Sequence, residues 1–349
     1  MDTLFITREN LAALTADLLA SGTHVAAPTR ASDAQTEYRY VTDFAQVRLD
    51  GSMPRRSLKE LFLPPTEPLL RWRQHQGDVE LQEVPTSFPP TVVLGARPCD
   101  AAAVDVLDRV MGWDYRDELW FGRRAATTVI SLACPGVDDL CFCSAVGGSP
   151  ESTRGADLLL TPVTDGYHVT VVTDKGRSLL SAHPSRFGAL PASGPLPAGP
   201  RIPAPGPLPL GQIRTWLESN FDHPLWHEVA LRCHGCGACA SVCPTCHCFD
   251  IVDEPEGVDR GTRRRNWDTC QTSVFTLHAS GHNPRHDQGA RFRQRLMHKF
   301  SIYPDKFGEV LCTGCGRCAR ACPAGQDIVE LLGRIGALAA GNGHEKVEA

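Results

Sequence analysis

The sequence predicts an α+β chain: an amino-terminal α/β domain over residues 1–190 and an all-α domain over residues 211–340. A proline-rich linker at 191–210 separates them, and a flexible tail closes the chain at 341–349. Three observations carry this. Two short apolar, β-branched runs, residues 91–95 and Thr127–Leu132, read as buried strands. Eight prolines mixed with Gly and Ala lie between Pro191 and Pro209, a composition that forms neither helix nor inner strand and acts as a semi-rigid spacer. Beyond it, apolar residues recur at helical spacing on both sides of two cysteine runs.

Taken in order, Leu4, Leu11, Leu14, Leu18 and Leu19 predict a first amphipathic helix over residues 3–20. Residues 38–44 read as strand, and residues 58–63 precede a turn at Pro64 and Pro65. After the run at 91–95, Ala101, Val104, Leu107 and Val110 repeat at helical spacing, with Asp100 as the expected N-cap. Cys99 thus falls on a strand-to-helix turn, and Cys134 follows the strand Thr127–Leu132. Both sulfurs should emerge at the carboxyl edge of one sheet, where open α/β sheets bind ligands. Cys141 and Cys143 come next, and in an extended segment positions i and i+2 face one side. Residues 157–161 and 167–173 read as a hairpin about Asp165 and Gly166. Past the linker, Ile213, Trp216, Leu217, Phe221, Leu225, Trp226 and Val229 describe helical packing, and Ile328, Leu331, Leu332, Ile335 and Leu338 a closing helix expected to pack against it.

The chemistry lies in the cysteines. Cys233, Cys236, Cys239 and Cys243, followed by Pro244, form a C-x2-C-x2-C-x3-C-P run that recurs as Cys312, Cys315, Cys318, Cys322 and Pro323. Three thiolates two residues apart wrap a loop around one iron-sulfur cube, while in two-cluster ferredoxins the fourth serves the other cluster. The expected ligand sets are therefore Cys233, Cys236, Cys239 and Cys322 for one [4Fe-4S] cluster and Cys312, Cys315, Cys318 and Cys243 for a second. Structural zinc is built from separated pairs and fits this spacing badly. For Cys99, Cys134, Cys141 and Cys143, spacing alone leaves open a third cluster, a zinc site or buried free thiols. Cys246, Cys248 and Cys270 read as structural or shielding thiols near a cluster; His234 and His247 are placed to tune a nearby potential through hydrogen bonds, a role not assigned to them. Residues 263–299 hold seven arginines and Lys299 against Asp268 and Asp287, a charge that would offset thiolate-ligated clusters, with a docking face for an acidic partner and an ordinary solvated face as the competing readings and nucleic acid last.

A formal net charge of −5 argues against nucleic acid as the main partner. No apolar segment reaches the roughly 18 residues of a membrane span. The first 22 residues carry Asp2, Arg8, Glu9 and Asp17 and lack the apolar core of a secretory signal, so a cytoplasmic location is expected, where 15 cysteines suit metal ligands better than disulfides. There is no glycine-rich dinucleotide fingerprint and no nucleophile-and-base pair, so no catalytic residue is assigned.

The stretches GARPCDAAAVDVLDRV, CFC with ADLLLT, CHGCGACASVCPTCHCFD, the arginines before WDTC, and LMHKF ahead of CTGCGRCARACP together resemble one family. It is the iron-sulfur beta subunit of cytoplasmic sulfhydrogenases, NADP-linked nickel-iron hydrogenases, together with the corresponding iron-sulfur subunit of anaerobic sulfite reductase. The resemblance, from about residue 90 to 335, implies an electron-transfer subunit between an NAD(P)H-handling flavoprotein and a catalytic hydrogenase or sulfite reductase subunit. It also places Cys99, Cys134, Cys141 and Cys143 on the family's amino-terminal motifs, implying a third [4Fe-4S] cluster. A sulfur-reducing enzyme with an open amino-terminal cluster is the rival from another class.

Overall fold

The computed structural model describes residues 4–32, 35–84, 86–134, 139–189 and 206–341. Most of the linker and the tail lie outside them. Twelve strands are described: β1 Leu4–Thr7, β2 His24–Ser32, β3 Gln35–Val41, β4 Thr66–His75, β5 Asp78–Glu83, β6 Thr91–Ala96, β7 Thr127–Leu132, β8 Leu158–Val163, β9 Gly166–Val171, β10 Gly188–Ala189, β11 Phe249–Pro255 and β12 Arg260–Trp267.

Eight of them form one sheet in the order β10-β1-β9-β8-β7-β6-β2-β3. Its centre is parallel, β2 with β6, β6 with β7 and β7 with β8, and its flanks are antiparallel. β6 and β7 are hydrophobic runs because both their faces are covered. The predicted strands at 91–95 and Thr127–Leu132 and the hairpin at Asp165, whose φ is 68°, are present. The first expected helix is shorter: Leu4 sits in β1, and the helix is Arg8–Ala20, capped by the Thr7 hydroxyl, which accepts from the Asn10 N–H at 3.0 Å. Asp100 is not an N-cap. Arg97 holds that position with Pro98 at N1, where a missing N–H costs nothing, and Asp100 lies buried in the first turn of the helix Pro98–Met111.

The carboxyl-terminal half is not all-α. β11 and β12 pair with each other and then with β4 and β5, so a four-stranded antiparallel sheet in the order β11-β12-β4-β5 joins the two halves of the chain. Cross-strand ion pairs hold the hairpin: Arg263 to Asp253 at 2.7 Å and Arg264 to Glu254 at 2.9 Å. In sequence these arginines read as a basic stretch because their carboxylate partners lie upstream, outside the run that they dominate. Arg265 is buried and bonds both Glu67 and Asp117.

The other expected helices are present, except that Phe221 falls in the turn between two of them and is exposed rather than packed. Helices Leu210–Ser219, Leu225–Ala230, Gln288–Met297 and Ile328–Ala339 close on a core containing Trp216, Trp226, Phe300, Leu332 and Ile335. The closing helix packs on Leu210–Ser219, where a Cβ on Gly336 would meet Pro209 at 3.2 Å. Phe142 and Ala145 from the amino-terminal half belong to this same core.

Candidate metal centre

The two cysteine runs fold alike because their sequences agree where the backbone must turn left. Gly235 and Gly237 have φ of 66° and 74°, and Gly314 and Gly316 have 65° and 70°. A side chain at such angles costs roughly 1–2 kcal/mol. Each second glycine leads into a one-turn helix, Ala238–Ser241 or Arg317–Arg320, which carries the third cysteine.

The runs enclose two cavities with a crossed membership. Cys233, Cys236, Cys239 and Cys322 line one. Cys243, Cys312 and Cys315 line the other, and Cys318 borders both. The fourth cysteine of each run has left its own loop for that of its counterpart.

Among the described residues, no three His, Cys, Asp or Glu side chains are grouped to hold a single metal ion. Sulfurs about 2.3 Å from one zinc would lie within about 4 Å of each other, whereas these ring cavities.

Some of the buried donors without partners among the described residues, though not Trp72, Arg97 or Ser131, fall beside these cysteines. Buried polar side chains nearly always find partners, yet Arg295 Nε and Nη2, Thr313 Oγ1 and Ser144 Oγ have none. Arg295 lines both cavities, Thr313 follows Cys312, and Ser144 follows Cys143. A sulfide-bearing cluster between the thiols would supply acceptors there, so the residues fit such a group.

The electrostatics agree. Arg295 is 5% exposed, and although burial opposes its charge, the nearby thiolates of Cys239, Cys318, Cys246 and Cys243 hold its pKa well above the usual range. Lys299, 2% exposed, donates from Nζ to Cys243 Sγ at 3.3 Å, Thr245 Oγ1 at 3.1 Å and the Leu311 carbonyl at 3.0 Å. Burial works against its charge, but Cys243, Cys246 and Cys312 raise its pKa. The Cys243 thiol is itself pulled well down, chiefly by a hydrogen bond from Cys246, against burial and with help from Lys299.

The four amino-terminal cysteines come together at the carboxyl edge of the large sheet. Cys99 is in the first turn of Pro98–Met111, beyond β6, and Cys134 follows β7. Burial raises the Cys99 thiol, with Asp100, Cys315 and Cys141 contributing, and burial raises Cys143, with Cys141 and Cys134 contributing. The segment holding Cys141 and Cys143 is not extended, since Cys143 opens a 3-10 turn, Cys143–Val146. That turn is set by docking: Phe142 N–H donates to the Gly314 carbonyl at 2.8 Å. A Cβ on Gly314 would lie 2.5 Å from Cys143 Cα, and one on Gly316 would lie 2.3 Å from the Leu140 carbonyl. The amino-terminal thiols are thereby pressed against the second run. Arg320 Nη2 donates to Cys141 Sγ at 3.1 Å. A cleft of about 460 Å³, lined by Cys99, Cys143 and Cys312, opens beside them.

Sequence reading missed the groups that clamp the halves. Arg317 is bidentate to Asp100 at 2.6 and 2.7 Å, with both side chains almost fully buried, and Tyr38 OH donates to the same carboxylate at 2.9 Å. Lys59 donates to the Cys246 carbonyl at 2.8 Å with its ammonium 3.8 Å from the Trp267 ring centre. Nothing in local spacing signals partners 187 to 217 residues away. His247 lies edge-on to His298 at 5.4 Å, and burial holds its pKa down to about 4. His234 lines the first cavity.

Fold and site together define an iron-sulfur protein, and residues 232–326 match the model of the 4Fe-4S dicluster domain. Over 284 residues the chain is 28% identical to the beta subunit of sulfhydrogenase 2 of Pyrococcus furiosus, covering 78% of this chain and 83% of that one. The resemblance drawn from the motifs thus extends through both halves. No solved structure matches, and no helix among the described residues is long and apolar enough to cross a membrane.

Proposed function

We propose that the chain is the electron-transfer subunit of a multi-subunit oxidoreductase, relaying electrons between a flavoprotein that handles NAD(P)H and a catalytic subunit of the nickel-iron hydrogenase kind. The observation that carries it is the crossed lining of two cavities by eight cysteines, with the unpartnered Arg295 between them. Cys233, Cys236, Cys239 and Cys322 would hold one [4Fe-4S] cluster, Cys312, Cys315, Cys318 and Cys243 a second, and Cys99, Cys134, Cys141 and Cys143 a third. When bound, such clusters supply one-electron exchange at potentials set by charge, hydrogen bonding and exposure. The protein's part is to hold the sulfurs apart, to offset their charge with Arg295, Lys299 and Arg320, and to press the third site against the second.

Iron and acid-labile sulfide in anaerobically purified chain test this, with about twelve irons expected for three cubes and about eight for two. Zinc in their place sinks the reading. Identifying the polypeptides that co-purify tests the partners, and a sirohaem protein among them would replace the hydrogenase with a sulfite reductase. The cleft beside Cys99 and Cys143 favours one further reading, a sulfur-reducing third centre open on one side. Cys141→Ser discriminates the two: loss of about four irons supports a closed four-cysteine site, and an intact centre supports the open one.

A further inference from the structure

Three cysteines stand outside the twelve: Cys246, Cys248 and Cys270. The β11–β12 hairpin begins one residue after Cys248, and its ladder continues past Trp267, where the Asp268 N–H donates to the Cys248 carbonyl at 3.0 Å. The hairpin mouth, where Phe249 pairs with Trp267 and Asp268 bonds Cys248, brings Cys270 back beside Cys248. Both are free thiols; Cys248 is half-buried and Cys270 is 9% exposed.

The pair is tied to the candidate centres on both sides. Gln271 Nε2 donates to Cys270 Sγ at 3.6 Å, and Gln288 Nε2 donates both to Gln271 Oε1 at 3.3 Å and to Cys233 Sγ at 3.2 Å. A hydrogen-bonded series thus runs from Cys270 to a cysteine of the first cavity. On the other side, Cys246 interacts electrostatically with both Cys248 and Cys243 of the second. Buried cysteines that serve only as small hydrophobes need neither a facing thiol nor amide donors aimed at sulfur.

We propose that Cys248 and Cys270 form a reversible dithiol–disulfide couple, a two-electron station beside the one-electron centres; this rests on the function proposed above. In the oxidising direction both S–H bonds break, the sulfur–sulfur bond forms, two protons leave, and two electrons pass singly to two oxidised iron-sulfur clusters. In the reverse direction two electrons delivered one at a time, with two protons, reopen the bond. The chain would then buffer between a partner that exchanges electrons in pairs and centres that carry them singly.

The test uses the whole chain loaded with iron and sulfide, poised anaerobically with redox dyes, quenched in acid, alkylated and mapped by mass spectrometry. A Cys248–Cys270 cross-linked peptide is expected in the oxidised sample and not in the reduced one. Cys248→Ser and Cys270→Ser are expected to keep their iron, lose the cross-link, and take up two fewer electrons per chain in reductive titration. Full alkylation of both cysteines in the oxidised sample overturns the proposal, as does loss of about four irons in either variant, which would make these thiols ligands. Iron is assayed on the same samples: a chain without clusters ends the proposed function and this inference together, whereas a loaded chain without the cross-link ends this inference alone.

Discussion

Replacing Lys299 by methionine should lower the midpoint potential of the centre bounded by Cys243 and leave the others nearly where they are. The ammonium lies 3.3 Å from Cys243 Sγ and is 2% exposed, so little water screens it. Taking about 6 Å from the charge to the middle of an added electron and an effective dielectric of about 20, the lost attraction is roughly 3 kcal/mol. For a single electron that corresponds to about 120 mV. A centre twice as far away should shift by half of that or less. Methionine keeps the length and apolar stem of lysine, and the Thr245 hydroxyl retains its own bond to the Leu311 carbonyl at 3.0 Å, so the fold should survive. The assay is an anaerobic redox titration followed by paramagnetic resonance, with iron content measured alongside. A shift below about 30 mV, or an equal shift of every centre, would refute the reasoning, because it would mean that the charge is screened or compensated elsewhere.

Arg317→Met should cost about 3–5 kcal/mol in denaturant unfolding, since it strands a buried Asp100 carboxylate; adding Asp100→Asn should restore part of that loss, and plain additivity of the two would count against the clamp. Gly314→Ala should lose the third centre's irons and keep those of the first, because its Cβ would collide with Cys143 rather than with any residue of the first cavity; iron assay and resonance spectra read it out. Arg295→Met should lower the potentials of the first and second centres together, as its guanidinium lines both cavities, and a shift confined to one would contradict that placement. Burial holds His298 down to about 3 from an ordinary 6.5, so the unfolded chain binds the extra proton between those values and stability falls as pH drops through that window. His298→Gln should therefore flatten the loss of stability between about pH 6.5 and 4 by a few kcal/mol relative to the parent in matched unfolding curves.

What the sequence alone determined is local. A thiol every third residue, with glycine where the loop turns left, prescribes a cysteine-lined turn, and an apolar repeat prescribes Pro98–Met111 and Ile328–Ala339 as helices. Crossed membership of the cavities was legible too, because the fourth cysteine lies on the next turn and points away from its own loop. Only tertiary structure decided the rest. Arg263 and Arg264 read as loose positive charge until Asp253 and Glu254 meet them across a hairpin, and β4 with β5 turns that hairpin into a sheet joining both halves. Cys143 turns rather than extends because Gly314 leaves room for its backbone, and Asp100 is drawn from capping to hold Arg317, 217 residues away. Spacing constrains bonds within a turn or two, whereas which distant surfaces meet depends on shape and burial summed over the whole chain, which no short window of residues contains.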